Sequence, residues 1–424
     1  MNLINKYKTK KSDIDFVNNL LINLNNNLKN QNIDADAFLG GSFAKKTYLE
    51  IKDFDIFIRF NSKKYKTENI SIILINFVKN YYKNYTILHG SRDYIQLIIN
   101  KKLVELVPIL KVNSYKDAKN ITDMSPLHVK YVNDNLKNID EVKLLKLFLK
   151  CNKLYGAESY IGGFSGYICE LLIIKYKTFA NLIKNVALWD EKTIIDIMNY
   201  YKNNLKLMQN KLTQSKFNSP LIFIDPVQDI RNASNALSKE NYNKFIFLCN
   251  NYLNSKTKKE FFILNEFKFS NIEKLAKKSK THLFYFKYLA KKGLEDVIGG
   301  KVKKAYNNIK KIIVNNDFTI FESGFNFNKN WSEKNNKELG YIYFLLNETE
   351  LPLLKKHFVN QEFLDNNKYI FYPLHVEPEL VLAQFARPYL NQIEVIRNIR
   401  YSTPLTKTIL VKDHPLMFGK RPMN

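Results

Sequence analysis

Arginine is nearly missing from a chain that is otherwise strongly basic: seven Arg stand beside 59 Lys in 424 residues. Positive charge is carried almost wholly by ammonium heads, so a planar guanidinium such as Arg231 is conspicuous and points to bidentate recognition. Cysteine is as scarce. Cys151, Cys169 and Cys249 are odd in number and lack ligand spacing, which excludes a disulfide framework or a zinc knuckle and leaves buried, reduced thiols as the expectation. Long apolar runs are absent too. A run such as Tyr341 to Leu346 is far short of the roughly 20 residues a membrane helix needs, so no membrane partner is expected. Met1 to Asp13 is Lys- and Asn-rich without the apolar core of a secretory signal, and a cytoplasmic location is expected. Internal repeats, heptad arrays and long low-complexity linkers are also lacking.

What is present is a globular composition, 45% apolar and 25% charged, with a net charge of +26. The length allows two to four domains. The charge would draw a polyanion through phosphate neutralisation and counterion release, and nucleic acid is the expected partner. The abundance of Asn and Ile indicates an A/T-biased genome that favours Lys codons, yet the excess of 26 charges survives whichever basic residue is encoded.

Periodicity divides the chain into three regions. In residues 1–138, helical spacing over Ser12–Asn30, with Ser12 or Asp13 as cap, and over Ile70–Tyr82 mixes with strand patterns. Those fall at Ala37–Gly40, Phe54–Phe60, Tyr85–His89, Tyr94–Ile99 and Leu103–Leu110. A mixed sheet flanked by helices is expected. Residues 139–255 read as a helical domain, with helices over Val142–Leu154, Gly166–Ile183 and Lys192–Asn203. Residues 256–424 read as α+β: a helix over Val302–Val314 and strands at His282–Leu289, Phe318–Phe325 and Tyr341–Leu346. The fold class is α+β throughout.

One constellation carries chemistry. Gly40-Gly41-Ser42 ends a strand, and Asp53-Phe54-Asp55 opens the next. Residues two apart on a strand share a face, so these carboxylates project together. Like charges held so close call for a cation, and Mg²⁺, which takes one or two carboxylates and completes its shell with phosphate and water, is the expected cofactor. Glu105, an acid flanked by Val104 and Leu106, is the candidate third carboxylate of a two-metal site. An isolated Asp-x-Asp is usually a solvated strand face. Together with the Gly-Gly-Ser turn and an acid on a further strand, it resembles the signature of polymerase-beta-like nucleotidyltransferases, in which the turn serves the triphosphate.

The resemblance narrows further along. Met124-Ser125-Pro126-Leu127-His128, Leu144-Leu145-Lys146-Leu147-Phe148, Leu154-Tyr155-Gly156-Ala157-Glu158, Gly163-Phe164-Ser165-Gly166-Tyr167 and the run from Asp225 to Asn232 are similar, in order, to the archaeal-type (class I) CCA-adding enzymes. The similarity is good over about residues 35 to 250. The Arg-Arg-Asp motif of the bacterial and eukaryotic class is absent, since no two arginines are adjacent. The resemblance implies a nucleotidyltransferase head, a helical central domain completing the nucleotide pocket, and a tRNA-binding C-terminal body and tail. It implies template-independent addition of CCA to tRNA from CTP and ATP, with a homodimer left open. Asp53, Asp55 and Glu105 would hold the metals, with Ser42 and Lys45 near the triphosphate. His128, Lys146 and Tyr155 would grip phosphates and sugar, and Arg231 with Asn232 would read the base. Three positions depart from the family: Glu105 stands where Asp is usual, Lys45 where Arg is preferred, and Gly162 where a basic residue is found.

Overall fold

The computed structural model describes residues 3–202, 204–264, 267–288, 295–315, 318–326, 340–347, 369–373, 396 and 408–412. They fall into two compact units, Met1–Asn265 and Glu266–Asn424.

The first unit opens with α1 (Lys11–Asn30), which buries Val17, Leu20, Leu24 and Leu28 along one face, the spacing that aligns side chains on a helix. Neither Ser12 nor Asp13 caps it. The N-cap is Lys10, without a side-chain bond, and Asp13 sits in the first turn, where its charge meets the positive helix end. The following elements are β1 (Ala35–Leu39), α2 (Gly41–Ala44), β2 (Phe54–Asn61), α3 (Ser62–Tyr65), α4 (Ile70–Tyr81), β3 (Tyr85–Leu88), β4 (Tyr94–Ile99) and β5 (Lys102–Lys111). They form a five-stranded mixed sheet in the order β1-β2-β5-β4-β3, in which only β2 and β5 pair in parallel. Ile56, Ile58, Phe60, Val104 and Leu106 are buried between its helices.

The chain continues through α5 (Ser125–Asn135), α6 (Ile139–Cys151), α7 (Gly166–Tyr176) and α8 (Phe179–Val186). Pro126 lies in the first turn of α5, where its missing N–H is harmless. The Ser165 side chain caps α7 by accepting from Ile168 N. The single helix expected over Gly166–Ile183 is two, because Lys177 takes a positive φ of 72° and Thr178 caps a fresh start.

The helix expected over Lys192–Asn203 is not formed. Thr193–Ile195 is instead a short strand, β6, and Asn199 and Lys202 have positive φ, incompatible with a right-handed helix. After α9 (Leu205–Lys211) and α10 (Gln214–Phe217), β7 (Leu221–Asp225) and β8 (Gln228–Asn232) join β6 in a three-stranded sheet. The central region is therefore not purely helical. All five residues of β7 are buried, so this apolar run forms a core strand, not a helix stripe. Helix α11 (Lys239–Asn254) closes the core through Tyr242, Phe245 and Cys249. Phe261 and Phe262 then fold back against Phe148, which carries the unit past residue 255 to Asn265.

The second unit contains α12 (Phe269–Ser279), β9 (Thr281–Tyr288), α13 (Glu295–Asn315), β10 (Ile320–Asn326), β11 (Gly340–Asn347), β12 (Tyr369–Pro373) and β13 (Thr408–Lys412). An antiparallel sheet ordered β10-β11-β9 packs Phe344, Ile342 and Leu346 against Val302 and Ile313 of α13. Strands β12 and β13 pair in parallel. Both units bear out the α+β class. No helix among the described residues is long and apolar enough to cross a membrane.

Candidate active site

The turn after β1 is shaped by two glycines that no other residue could replace without movement. A Cβ on Gly40 would lie 2.1 Å from the Phe57 ring, and one on Gly41 would lie 1.7 Å from Asp55 Oδ2. Gly41 also has φ +58°, a left-handed conformation that favours glycine. Gly40 N donates to Asp55 O at 2.7 Å, so the turn backbone lies directly against the acid.

Asp55 and Glu105 are register partners on the parallel pair β2–β5, and Asp53 immediately precedes β2. Burial, then the charges of Asp53 and Glu105, push the Asp55 carboxyl up to about 7, against the pull of Lys45. Burial also raises Asp53, opposed by Lys52. Glu105 is raised by burial and by Asp53, while a 3.0 Å hydrogen bond from Gln96 on β4 opposes the shift. Three carboxyls share one electrostatic field, and their hard oxygens are the donor type that a divalent cation takes. Among the described residues no group of three or more His, Cys, Asp or Glu side chains stands, as placed, where it could hold a metal ion by itself. A cation here would complete its shell with phosphate and water.

A second cluster lies behind the turn. Glu170 on α7 is fully buried and pairs with Lys45 Nζ at 2.5 Å and Lys146 Nζ at 3.3 Å. Lys146, 1% exposed, also donates to Thr47 O at 3.0 Å and Thr47 Oγ1 at 3.1 Å. Burial alone would raise the Glu170 carboxyl, but Lys45 and Lys146 outweigh it and hold it below its ordinary value. Burial lowers Lys146 despite Glu170. Two ammoniums therefore share one carboxylate. Gly166 makes room for them: a Cβ there would lie 3.3 Å from Tyr155 Oη and 3.4 Å from Lys146 Nζ. Tyr155 is largely buried, which raises its hydroxyl.

A third cluster gathers around Asp225 at the end of β7. Arg231 Nη1 donates to Asp225 Oδ2 at 2.8 Å and lies 3.2 Å from His128 Nε2. The His128 ring packs on Tyr167 with centroids 4.6 Å apart. Arg231 lines a cleft of about 540 Å³ together with Tyr115, Lys119, Asn120, Lys216 and Gln228.

Comparison with known proteins bears on this arrangement. Residues 21–138 match the family model described as a nucleotidyltransferase domain, and residues 140–263 match the second domain of tRNA nucleotidyltransferase. The CCA-adding enzyme of Nanoarchaeum equitans is 38% identical over 356 residues, covering 78% of this chain and 90% of that protein. The chain belongs to the CCA-adding enzyme family. The family's enzyme from Methanocaldococcus jannaschii is 34% identical, covering 68% of this chain and 64% of its own. That of Thermococcus kodakarensis is 28% identical, covering 87% and 80%.

Within this member of the CCA-adding family, Asp53, Asp55, Glu105, Lys45 and the half-buried Ser42 gather around the glycine turn, and His128 meets Arg231 at Asp225. Two of the expected residues have partners of their own. The Lys146 ammonium is buried and engaged by Thr47 and Glu170. Asn232, 3% exposed, borders the same cleft as Arg231, with its side-chain amide engaged by the backbone. Its Oδ1 accepts from Phe223 N and Ser234 N, and its Nδ2 donates to Leu221 O. Glu170, Thr47, Tyr167 and Asp225 were missed as partners in these clusters. The signal available was an acid placed inside or at the end of an apolar run, Glu170 beside Leu171-Leu172 and Asp225 after Leu221-Ile222-Phe223-Ile224.

Proposed function

We propose that this chain adds C, C and A in turn to the 3′ end of tRNA, without a template, using CTP and ATP and releasing pyrophosphate. The observation that carries the proposal is the trio Asp53, Asp55 and Glu105 held against the Gly40–Gly41 turn, in a chain 38% identical to a CCA-adding enzyme. Nucleotidyltransferases of this fold use divalent metals. Mg²⁺ held by these three acids would lower the pKa of the attacking 3′-hydroxyl and neutralise the leaving pyrophosphate.

The chain's own groups do the rest. The backbone of the Gly40–Gly41 turn and the Ser42 hydroxyl meet the triphosphate. Lys45, tethered by Glu170, presents its ammonium between the acids and the phosphates. Lys146 acts one step removed, sharing Glu170 and so fixing where Lys45 stands. Tyr155 and His128 border sugar and base. The donors of Arg231 favour bases that offer acceptors, and a base presenting N–H there would leave buried groups unpaired. Residues 1–138 are the catalytic domain and the central region completes the pocket. The second unit, with Lys274, Lys277 and Lys278 on α12 and Lys301, Lys303 and Lys304 on α13, meets the acceptor stem by shape and phosphate contact. We assign the reaction to the cytoplasm.

The test is incorporation of labelled CTP and ATP into a tRNA transcript ending at the discriminator base, comparing wild type with Asp55→Ala. Growth by C, C and A that then stops, needs Mg²⁺ and vanishes in the variant is expected. Unbounded A addition, or no metal-dependent growth, would overturn the proposal.

A further inference from the structure

The β7–β8 hairpin that carries Arg231 is fastened on every side. At its turn, Tyr200 Oη donates to Pro226 O at 2.6 Å, and Tyr201 Oη donates to Asp229 O at 2.7 Å. Beside the turn, at the end of β7, lies Asp225, whose side chain is fully buried. Its Oδ1 accepts from Tyr167 Oη at 3.0 Å and from Val227 N at 2.9 Å. Its Oδ2 faces Arg231 Nη1 at 2.8 Å and His128 Nε2 at 3.1 Å. A carboxylate taken this far out of water is strongly unfavourable unless each oxygen is compensated, and here both are. Burial would raise it, but His128, Arg231 and the Val227 N–H outweigh that and keep it below the ordinary carboxylate range.

The two oxygens have separate tasks. Oδ1 binds the turn backbone and α7 through Tyr167, so it belongs to the frame. Oδ2 faces two side chains, Arg231, which lines the cleft, and His128 beside it. A guanidinium carries five N–H donors in a rigid fork, so fixing one terminal nitrogen fixes the direction in which the rest of the fork is offered. His128, from the first turn of α5, is held on the same oxygen, which links the plane of its ring to that of the guanidinium.

We infer that Asp225 is a positioning residue for nucleotide selection: it aims Arg231 and His128 together, so that discrimination among bases depends on a group that never touches the nucleotide. This rests on the proposed reading of the cleft as the nucleotide pocket. It goes further by placing the origin of selectivity in the frame, not in the contact residue.

Asp225→Asn isolates this role. An amide of the same shape has one acceptor and one NH₂ group, so it must set a donor against either Val227 N–H or Arg231. The backbone N–H is fixed by the chain; the guanidinium is the group free to turn away. The experiment measures the affinities of CTP, ATP and UTP for wild type and Asp225→Asn, alongside extension of tRNA by each nucleotide and thermal unfolding. The expected result is a folded variant whose preference for CTP and ATP over UTP falls roughly tenfold, the worth of one charge-assisted hydrogen bond, with an unchanged Mg²⁺ requirement. A folded variant with undiminished preference overturns the inference, as does a uniform loss of rate at constant selectivity, or a wild type with no preference. Should Asp225→Asn fail to fold, Tyr167→Phe, which removes one bond to Oδ1 and keeps the ring, must lower the same preference or the inference falls. A wild type that selects CTP yet extends no tRNA would sink the proposed function and leave this inference standing.

Discussion

Two buried acids, Asp55 and Glu170, show how the same side-chain chemistry is set to opposite ends. Glu170 has two ammoniums for company and is held low. It binds fewer protons folded than unfolded, so its stabilisation is present above its unfolded value and is lost as pH falls through the folded one. Asp55 has two carboxyls for company and is pushed up to about 7. Between its unfolded value of 3.8 and about 7, the folded form keeps a proton that the unfolded chain has released. Stability must therefore fall as pH rises through that window. At pH 8 without metal, the ionised Asp55 should weaken the fold by roughly 2 to 4 kcal/mol. Asp55→Asn should thus be more stable than wild type in EDTA at pH 8, and equal to it near pH 4. Added Mg²⁺ should raise the unfolding midpoint of the wild type and leave that of the variant nearly unchanged. Urea titrations at the two pH values check this, and a variant less stable than wild type at pH 8 would show that the acids are not strained.

Among the elements, the strands of the head were the most readable, because alternation along β2 and β5 records a sheet with buried residues on a fixed period. Ile194, Ile195, Ile197 and Met198 mimic helical spacing equally well, and what decides against a helix is pairing of β6 with β7, a contact made across sequence. Lys146 is a related case. Its position on α6 was legible, whereas its ammonium is satisfied by Thr47, in the loop between α2 and β2, and by Glu170 on α7. The Gly40–Gly41 turn was legible as a motif; its role as a template for Asp55 was not. Gly41→Ala tests that role at the level of the element. The added Cβ meets Asp55 Oδ2, and the left-handed backbone adds about 1 kcal/mol of strain. Displacing a catalytic group by an ångström costs on the order of a hundredfold in rate. Rapid-quench kinetics should show a loss of that size in nucleotide addition with tRNA affinity retained, and a near-normal rate would mean that the turn does not template the acid.

For the whole molecule the open physical matter is whether a charge of +26 works for the protein or records its genome's codons. The lysines of α13 lie on a helix whose Val302, Tyr306, Ile309 and Ile313 pack into the core of the second unit, and α12 carries three more lysines, as a phosphate-binding surface requires. An incidental excess would be spread evenly and would raise affinity for any small anion as much as for RNA. A surface that neutralises several phosphates releases several counterions at once, so log affinity falls linearly with log salt at a slope set by the number of contacts. With about five contacts, the KM for tRNA should rise on the order of a hundredfold between about 50 and about 200 mM KCl. The KM for CTP, governed by a few groups at the acids and the Asp225 cluster, should move only a few-fold. Steady-state kinetics with each substrate varied in turn separates the two. Equal salt dependence for both would reduce the net charge to composition, and the acceptor stem would then have to be held by uncharged contacts.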